Sequence, residues 1–203
     1  MTKPLALDHK ELDQLLGKLL SALEARNLEQ SHAHLDFFWA RLAVHIRAEH
    51  LQLFPAIVRA LDEGTEDRVD DKPSATEAQS AIERLHSDHD VFMRELSDAM
   101  QSMRQLLTRT ESHDASERLE EVRAKVVAVS ELLAAHNDLE ENQVYLWAEK
   151  LLNTSERATL EVKLQKELEN MPPRFAAKRP LICLGPCSGI IRELSHLQEV
   201  KAV

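Results

Sequence analysis

HIRAEHLQLFP (residues 45–55) decides the fold, because it reads as a helix with a polar step cut into its apolar face. At about 100° per residue, His45 and Glu49 differ by only about 40°. They flank the line of Leu42, Leu53 and Ala56. A second stretch, HNDLEENQVYL (residues 136–146), repeats the arrangement, with His136 and Glu140 on the stripe of Val129, Leu133 and Trp147. Each stretch puts a base and an acid where a helix should bury only carbon.

Outward from the first stretch, helical periodicity runs from about Ser31 to Leu61, with Leu35, Phe38, Leu42, Ile46, Leu53 and Ala56 inward. Outward from the second, it runs to about Leu152, with Val122, Val126, Val129, Leu133, Val144 and Trp147 inward. Two further helices precede these. One follows Pro4 and aligns Leu5, Leu12, Leu16, Leu19, Leu20 and Leu23. The other runs to about Thr108 and aligns Ile82, Leu85, Phe92, Leu96, Met100 and Met103. Ser74 with Glu77, and Asp114 with Glu117, mark helix starts, where a short polar side chain satisfies free amides. The acidic segment DEGTEDRVDDKPS separates two helical hairpins. The expected fold is all-α: an up-down-up-down four-helix bundle with a short fifth helix, opened by NTSER, and a C-terminal tail. Residues 1–153 form the expected bundle, and 154–203 a helix and tail packed on it or trailing from it.

Composition agrees. Among 203 residues there are 4 glycines and 7 prolines, too few for a many-turned sheet protein. The net charge of −10 argues against nucleic acid or an anionic membrane as a partner. The N-terminal stretch MTKPLALDHKELDQLL has no uninterrupted apolar core, so no signal peptide is expected. No apolar run nears the roughly 20 residues that span a bilayer. The expected location is the cytoplasm. Both cysteines, Cys183 and Cys187, lie in the tail and cannot staple the bundle.

Of ten histidines, four take mid-stripe positions, one per long helix: His9, His45, His89 and His136. His9 and His45 stand about equally far from the first helix break, and His89 and His136 from His113. At ~1.5 Å per residue the mismatch is about half a turn, so each pair meets at one level of its hairpin. Six polar side chains then converge inside the bundle. Two unpartnered buried carboxylates would cost several kcal/mol each, and the imidazoles add to it. Metal ions offset that cost. Imidazole and carboxylate without thiolate suit iron, manganese or zinc, and facing glutamates favour a dinuclear site. A polar layer that only fixes helix register is the structural alternative.

The ordered set His9, His45-x-x-x-Glu49, His89, His136-x-x-x-Glu140, with LFP after Glu49, resembles the hemerythrin-like (HHE cation-binding) domains over roughly residues 5–152. The resemblance implies two iron ions with an oxo or hydroxo bridge. It implies that His9 and His45 bind one, His89 and His136 the other, and Glu49 and Glu140 bridge them. Oxygen carriers of that family have a fifth histidine, four residues from its partner on the third helix. Here the spacing is His86-Ser-Asp-His89, and His86 lies about 60° off the stripe. It could be a fifth ligand, an outer partner or an exposed residue; the latter two are favoured. His32, His34, His50, His113 and His196 are read as non-ligands, and Glu141 as solvated or capping. No separate catalytic or organic-cofactor residues stand out.

The expected function is binding or sensing of oxygen, nitric oxide, peroxide or iron status, in a pocket walled by residues such as Phe38, Phe92, Val129 and Trp147. The alternative is an enzyme acting on peroxide or nitric oxide, or a protein that donates iron or repairs iron centres. A protein partner would engage the C-terminal tail.

Overall fold

The computed structural model describes residues 2–63, 73–108 and 115–176. They are almost entirely helical, with no strand among the described residues. In chain order the α-helices are α1 (Lys3–Glu24), α2 (Leu28–Ala48), α3 (Phe54–Asp62), α4 (Ala75–Thr108), α5 (Ala115–Leu139), α6 (Tyr145–Leu151), α7 (Thr154–Glu169) and α8 (Pro173–Ala176). Two single π-helical turns, Glu49–Leu53 and Glu140–Val144, weld α2 to α3 and α5 to α6. The second and fourth long helices expected from the sequence therefore exist, each with one wide turn inside it.

Each π turn carries an extra residue, which rotates everything downstream by roughly 100° relative to a continuous α-helix. This is why Ile57 is fully buried while Ala56, expected inward, is only partly so. In α1 the inward set is likewise slightly wider than expected, with Leu15 buried and Leu20 at the edge.

The bundle is a ring of neighbours: α1 against α2, α2 against α4, α4 against α5, and α5 back against α1. Helix α7 lies against α1 and α2. Asn153 caps it: the side chain accepts from Glu156 N–H at 3.0 Å, and the Glu156 carboxylate accepts from Asn153 N–H at 2.9 Å. The Ser74 hydroxyl accepts from Glu77 N–H at 3.1 Å, as expected of a helix start. Asp114, His113, His196, Cys183 and Cys187, with the sequence readings attached to them, lie outside the described residues. No helix among the described residues is long and apolar enough to cross a membrane.

The core is divided. One apolar cluster contains Leu12, Leu19, Phe38, Leu42, Phe92, Met100, Val126 and Leu133. The other contains Leu5, Leu53, Ile57, Leu85, Val144, Trp147 and Leu164. Every long helix crosses from one cluster to the other beside its inward histidine or glutamate, α2 between Ile46 and Ala48. His9 falls between Leu5 and Leu12, His89 between Leu85 and Phe92, and His136 and Glu140 between Leu133 and Val144. The polar residues form a layer between two oily halves.

Candidate metal centre

Six side chains fill that layer: His9, His45, His89 and His136 at 2 % exposure, and Glu49 and Glu140 at 0 %. All four rings turn Nε2 inward. His9 Nε2 lies 3.1 Å from His45 Nε2, and His89 Nε2 lies 3.0 Å from His136 Nε2. Between the pairs stand the carboxylates. Glu49 reaches His45 Nε2 at 3.3 Å with Oε1 and His89 Nε2 at 3.4 Å with Oε2. Glu140 reaches His9 Nε2 at 3.1 Å with Oε2 and His136 Nε2 at 3.2 Å with Oε1. The ligand atoms fall into two groups, each within 4.8 Å: His9, His45, Glu49, Glu140, and Glu49, His89, His136, Glu140. The two groups share both glutamates.

Outward, each ring is held at Nδ1. His45 Nδ1–H donates to Asp8 Oδ2 at 2.9 Å, His9 Nδ1–H to Glu141 Oε1 at 2.8 Å, and His136 Nδ1–H to Asp88 Oδ2 at 3.3 Å. His89 Nδ1 lies 2.8 Å from His50 Nε2. A carboxylate can only accept, so it fixes the hydrogen on Nδ1 and leaves the Nε2 lone pair facing the centre. Asp8 is itself fixed, since its other oxygen accepts from Arg41, whose guanidinium also donates to the Leu168 carbonyl at 2.7 Å.

Lone pairs that face each other across 3 Å need a positive charge between them. In the metal-free chain a proton takes that role. Burial disfavours the charged ring of His45, but Glu49 and Glu140 outweigh it and the pKa is raised. Burial likewise opposes charge on His136, and Glu140, Glu49 and Asp88 overcome it. Burial disfavours the Glu49 carboxylate too, yet His45 and His89 hold it well below the usual carboxylate range. Glu49 Oε2 and Glu140 Oε1 have no hydrogen-bond donor at all despite complete burial. Converging Nε2 atoms, tautomer-fixing partners and donor-less carboxylate oxygens in a buried layer fit metal cations.

Three features escaped the sequence reading. Tyr145 is buried, and its hydroxyl lies 3.2 Å from Glu49 Oε1, Glu140 Oε2 and His9 Nε2. Burial first, then Glu140 and Glu49, push that phenol well above its ordinary pKa, so it keeps its proton. Glu141, read from the sequence as solvated or capping, and His50, read as a non-ligand, are the outer partners of His9 and His89. The π turns are the reason. Both glutamates open one, and the wider turn brings the following residue round to the neighbouring hairpin. Alternation at 100° per residue cannot show this, although two aromatic residues at identical offsets from the glutamates, Phe54 and Tyr145, were a visible signal.

His86 is exposed and lies outside both ligand groups, with its ring 4.4 Å from that of His50. His32 and His34 also lie outside both groups. Phe38, Phe92 and Val129 wall one side of the layer, whereas Trp147 belongs to the opposite cluster.

A family model described as the hemerythrin HHE cation binding domain matches residues 1–148. No curated protein and no solved structure matches the chain.

Proposed function

Because the chain belongs to the hemerythrin HHE cation-binding domain family, we propose that it is a non-haem di-iron protein that binds or senses dioxygen, nitric oxide or peroxide. The supporting observation is the pair of four-ligand groups sharing Glu49 and Glu140. In this reading His9 and His45 would hold one ion and His89 and His136 the other, with Glu49 and Glu140 common to both ligand groups. Iron bound there supplies open coordination positions and reversible one-electron chemistry.

The protein's own part follows from its residues. The Nδ1 partners hold four rings in one orientation, so little rearrangement is needed when ions load. Phe92 lies against both His89 and His136 and excludes water from their side. Tyr145 keeps a proton 3.2 Å from both bridging carboxylates, where it can donate a hydrogen bond to a small ligand. The test is metal analysis of iron-reconstituted protein, with spectra under air, argon and nitric oxide. Two irons per chain and an oxo-to-iron absorption band in the oxidised form are expected. Less than one iron per chain, or undiminished binding after alanine replacement of each of the six residues, sinks the reading.

Tyr145 also favours a second reading, turnover of peroxide or nitric oxide, since it places a buried hydroxyl donor at the centre. Steady consumption of peroxide, lost in Glu49→Ala and slowed in Tyr145→Phe, supports the enzyme. Stoichiometric binding without turnover supports the sensor.

A further inference from the structure

The layer has an internal two-fold likeness, position for position. Asp8, His9, His45, Glu49, His50 and Phe54 correspond to Asp88, His89, His136, Glu140, Glu141 and Tyr145. The correspondence is physical as well as sequential. The acid before each first histidine binds the ring across its hairpin: Asp8 with His45, and Asp88 with His136. The residue after each glutamate binds a ring of the other hairpin: Glu141 with His9, and His50 with His89. The aromatic residue five beyond each glutamate stacks on that same ring: Tyr145 on His9 at 5.7 Å and 21°, and Phe54 on His89 at 6.3 Å and 18°.

The likeness breaks at two of the six positions, and the first break favours the His9 half. His9 has a carboxylate where His89 has the imidazole of His50. A carboxylate on Nδ1–H makes the opposite nitrogen a stronger donor to a cation, and an imidazole partner does so far less. At the other break Tyr145 brings a hydroxyl to His9 Nε2 and to the carboxylate oxygens on that side, where it competes with a cation and offsets part of this advantage, and Phe54 brings none. The matched positions again favour the His9/His45 half. Asp8 is buried, bonds at 2.9 Å and is held by Arg41, whereas Asp88 is 15 % exposed and 3.3 Å away. Arg41 offsets part of the Asp8 charge, but it occupies Oδ1 and leaves Oδ2 to His45. Glu141 is 46 % exposed, so water tempers its pull, and the buried Asp8 contact is the stronger of the two.

From this asymmetry we infer that the two ion positions are unequal: the His9/His45 position is tight, and the His89/His136 position is the weak, exchangeable one that fills last and empties first. The inference rests on the dinuclear reading above.

Shared glutamates couple the two positions, so each is best measured alone. The full chain carrying His136→Ala keeps only the tight position, and His9→Ala keeps only the weak one. Both are stripped with chelator and titrated with Co(II), read by calorimetry and visible absorption. His136→Ala is expected to bind its single ion at least about tenfold more tightly than His9→Ala, the lower end of what one outer partner contributes. Exchanging the outer partner supplies a second arm at exposed positions, where folding is not at stake. His50→Glu in the His9→Ala background is expected to tighten the remaining ion by about tenfold, and Glu141→His in the His136→Ala background to loosen it by about as much. Equal affinities in the two half-site proteins, or a reversed order, overturn the inference while leaving a dinuclear site intact. Failure of the unmodified chain to take up two ions overturns the dinuclear reading itself.

Discussion

At the scale of the residue, the centre is governed by what each polar atom lacks. Glu49 and Glu140 are fully buried, and Tyr145 is the hydroxyl donor to the oxygens that face it. Removing that hydroxyl leaves buried acceptors unserved. Metal-free Tyr145→Phe is therefore expected to be about 1–3 kcal/mol less stable than the metal-free parent in urea unfolding, and the gap should shrink with metal bound. An equal gap in both forms would mean that the tyrosine acts through packing instead. Protons are the second lever. The raised values of His45 and His136 stabilise the metal-free fold fully below about pH 6.5, and that contribution is lost as pH rises through the folded values. Glu49, depressed, stabilises above about pH 4.5 and loses that contribution as pH falls through its folded value. His50, lowered by burial and then by His89 and His86, trims stability on the acid side of 6.5. The thermal midpoint of the stripped protein should therefore peak somewhat below neutrality and fall toward pH 9. Metal binding needs deprotonated rings, so the loaded protein should not show that alkaline fall. Calorimetric scans of both forms across this range check it.

At the scale of the element, the π turns deserve their own experiment because they carry both glutamates. A π turn amounts to one residue too many in an α-helix. Deleting exposed Leu51 from the Glu49–Leu53 turn should restore a continuous α-helix. It then rotates α3 by roughly 100° relative to α2, so that Glu49 and Ile57 can no longer both face inward. Helical content by circular dichroism should persist while metal uptake or the thermal midpoint drops markedly. Unchanged uptake and unchanged stability would show that the turn has no positioning role. Little of this was legible beforehand. Helix existence was plain from Leu35, Phe38 and Leu42, but the phase slip within Glu49–Leu53 was not, because an average of 3.6 residues per turn assumes that no turn is wider.

At the scale of the whole molecule, the polar layer separates two apolar clusters that would otherwise form one core. Its two carboxylates are fully buried, and cations would balance their charge. Ion binding to the folded state alone adds about 2.7 kcal/mol for each site held at 100 times its dissociation constant. Chelation is accordingly expected to lower the urea midpoint by an amount of that order, and added metal to restore it. A chain whose unfolding curve ignores chelator would instead use the layer only to set helix register. Helix α7 takes part in this balance, since its Leu168 carbonyl holds Arg41, Arg41 holds Asp8, and Asp8 holds His45.

The sequence by itself determined that the chain is helical and that four histidines and two glutamates face inward. Period and face are local properties, readable from residue spacing alone. It also determined the level at which those residues meet, because rise per residue is constant along a helix. Only the tertiary structure decided which atoms face which. The inward turn of every Nε2, the outer roles of Glu141 and His50, and the place of Tyr145 all depend on contacts between helices far apart in the chain. Those contacts follow from two wide turns whose hydrogen bonding leaves no mark in the hydrophobic pattern.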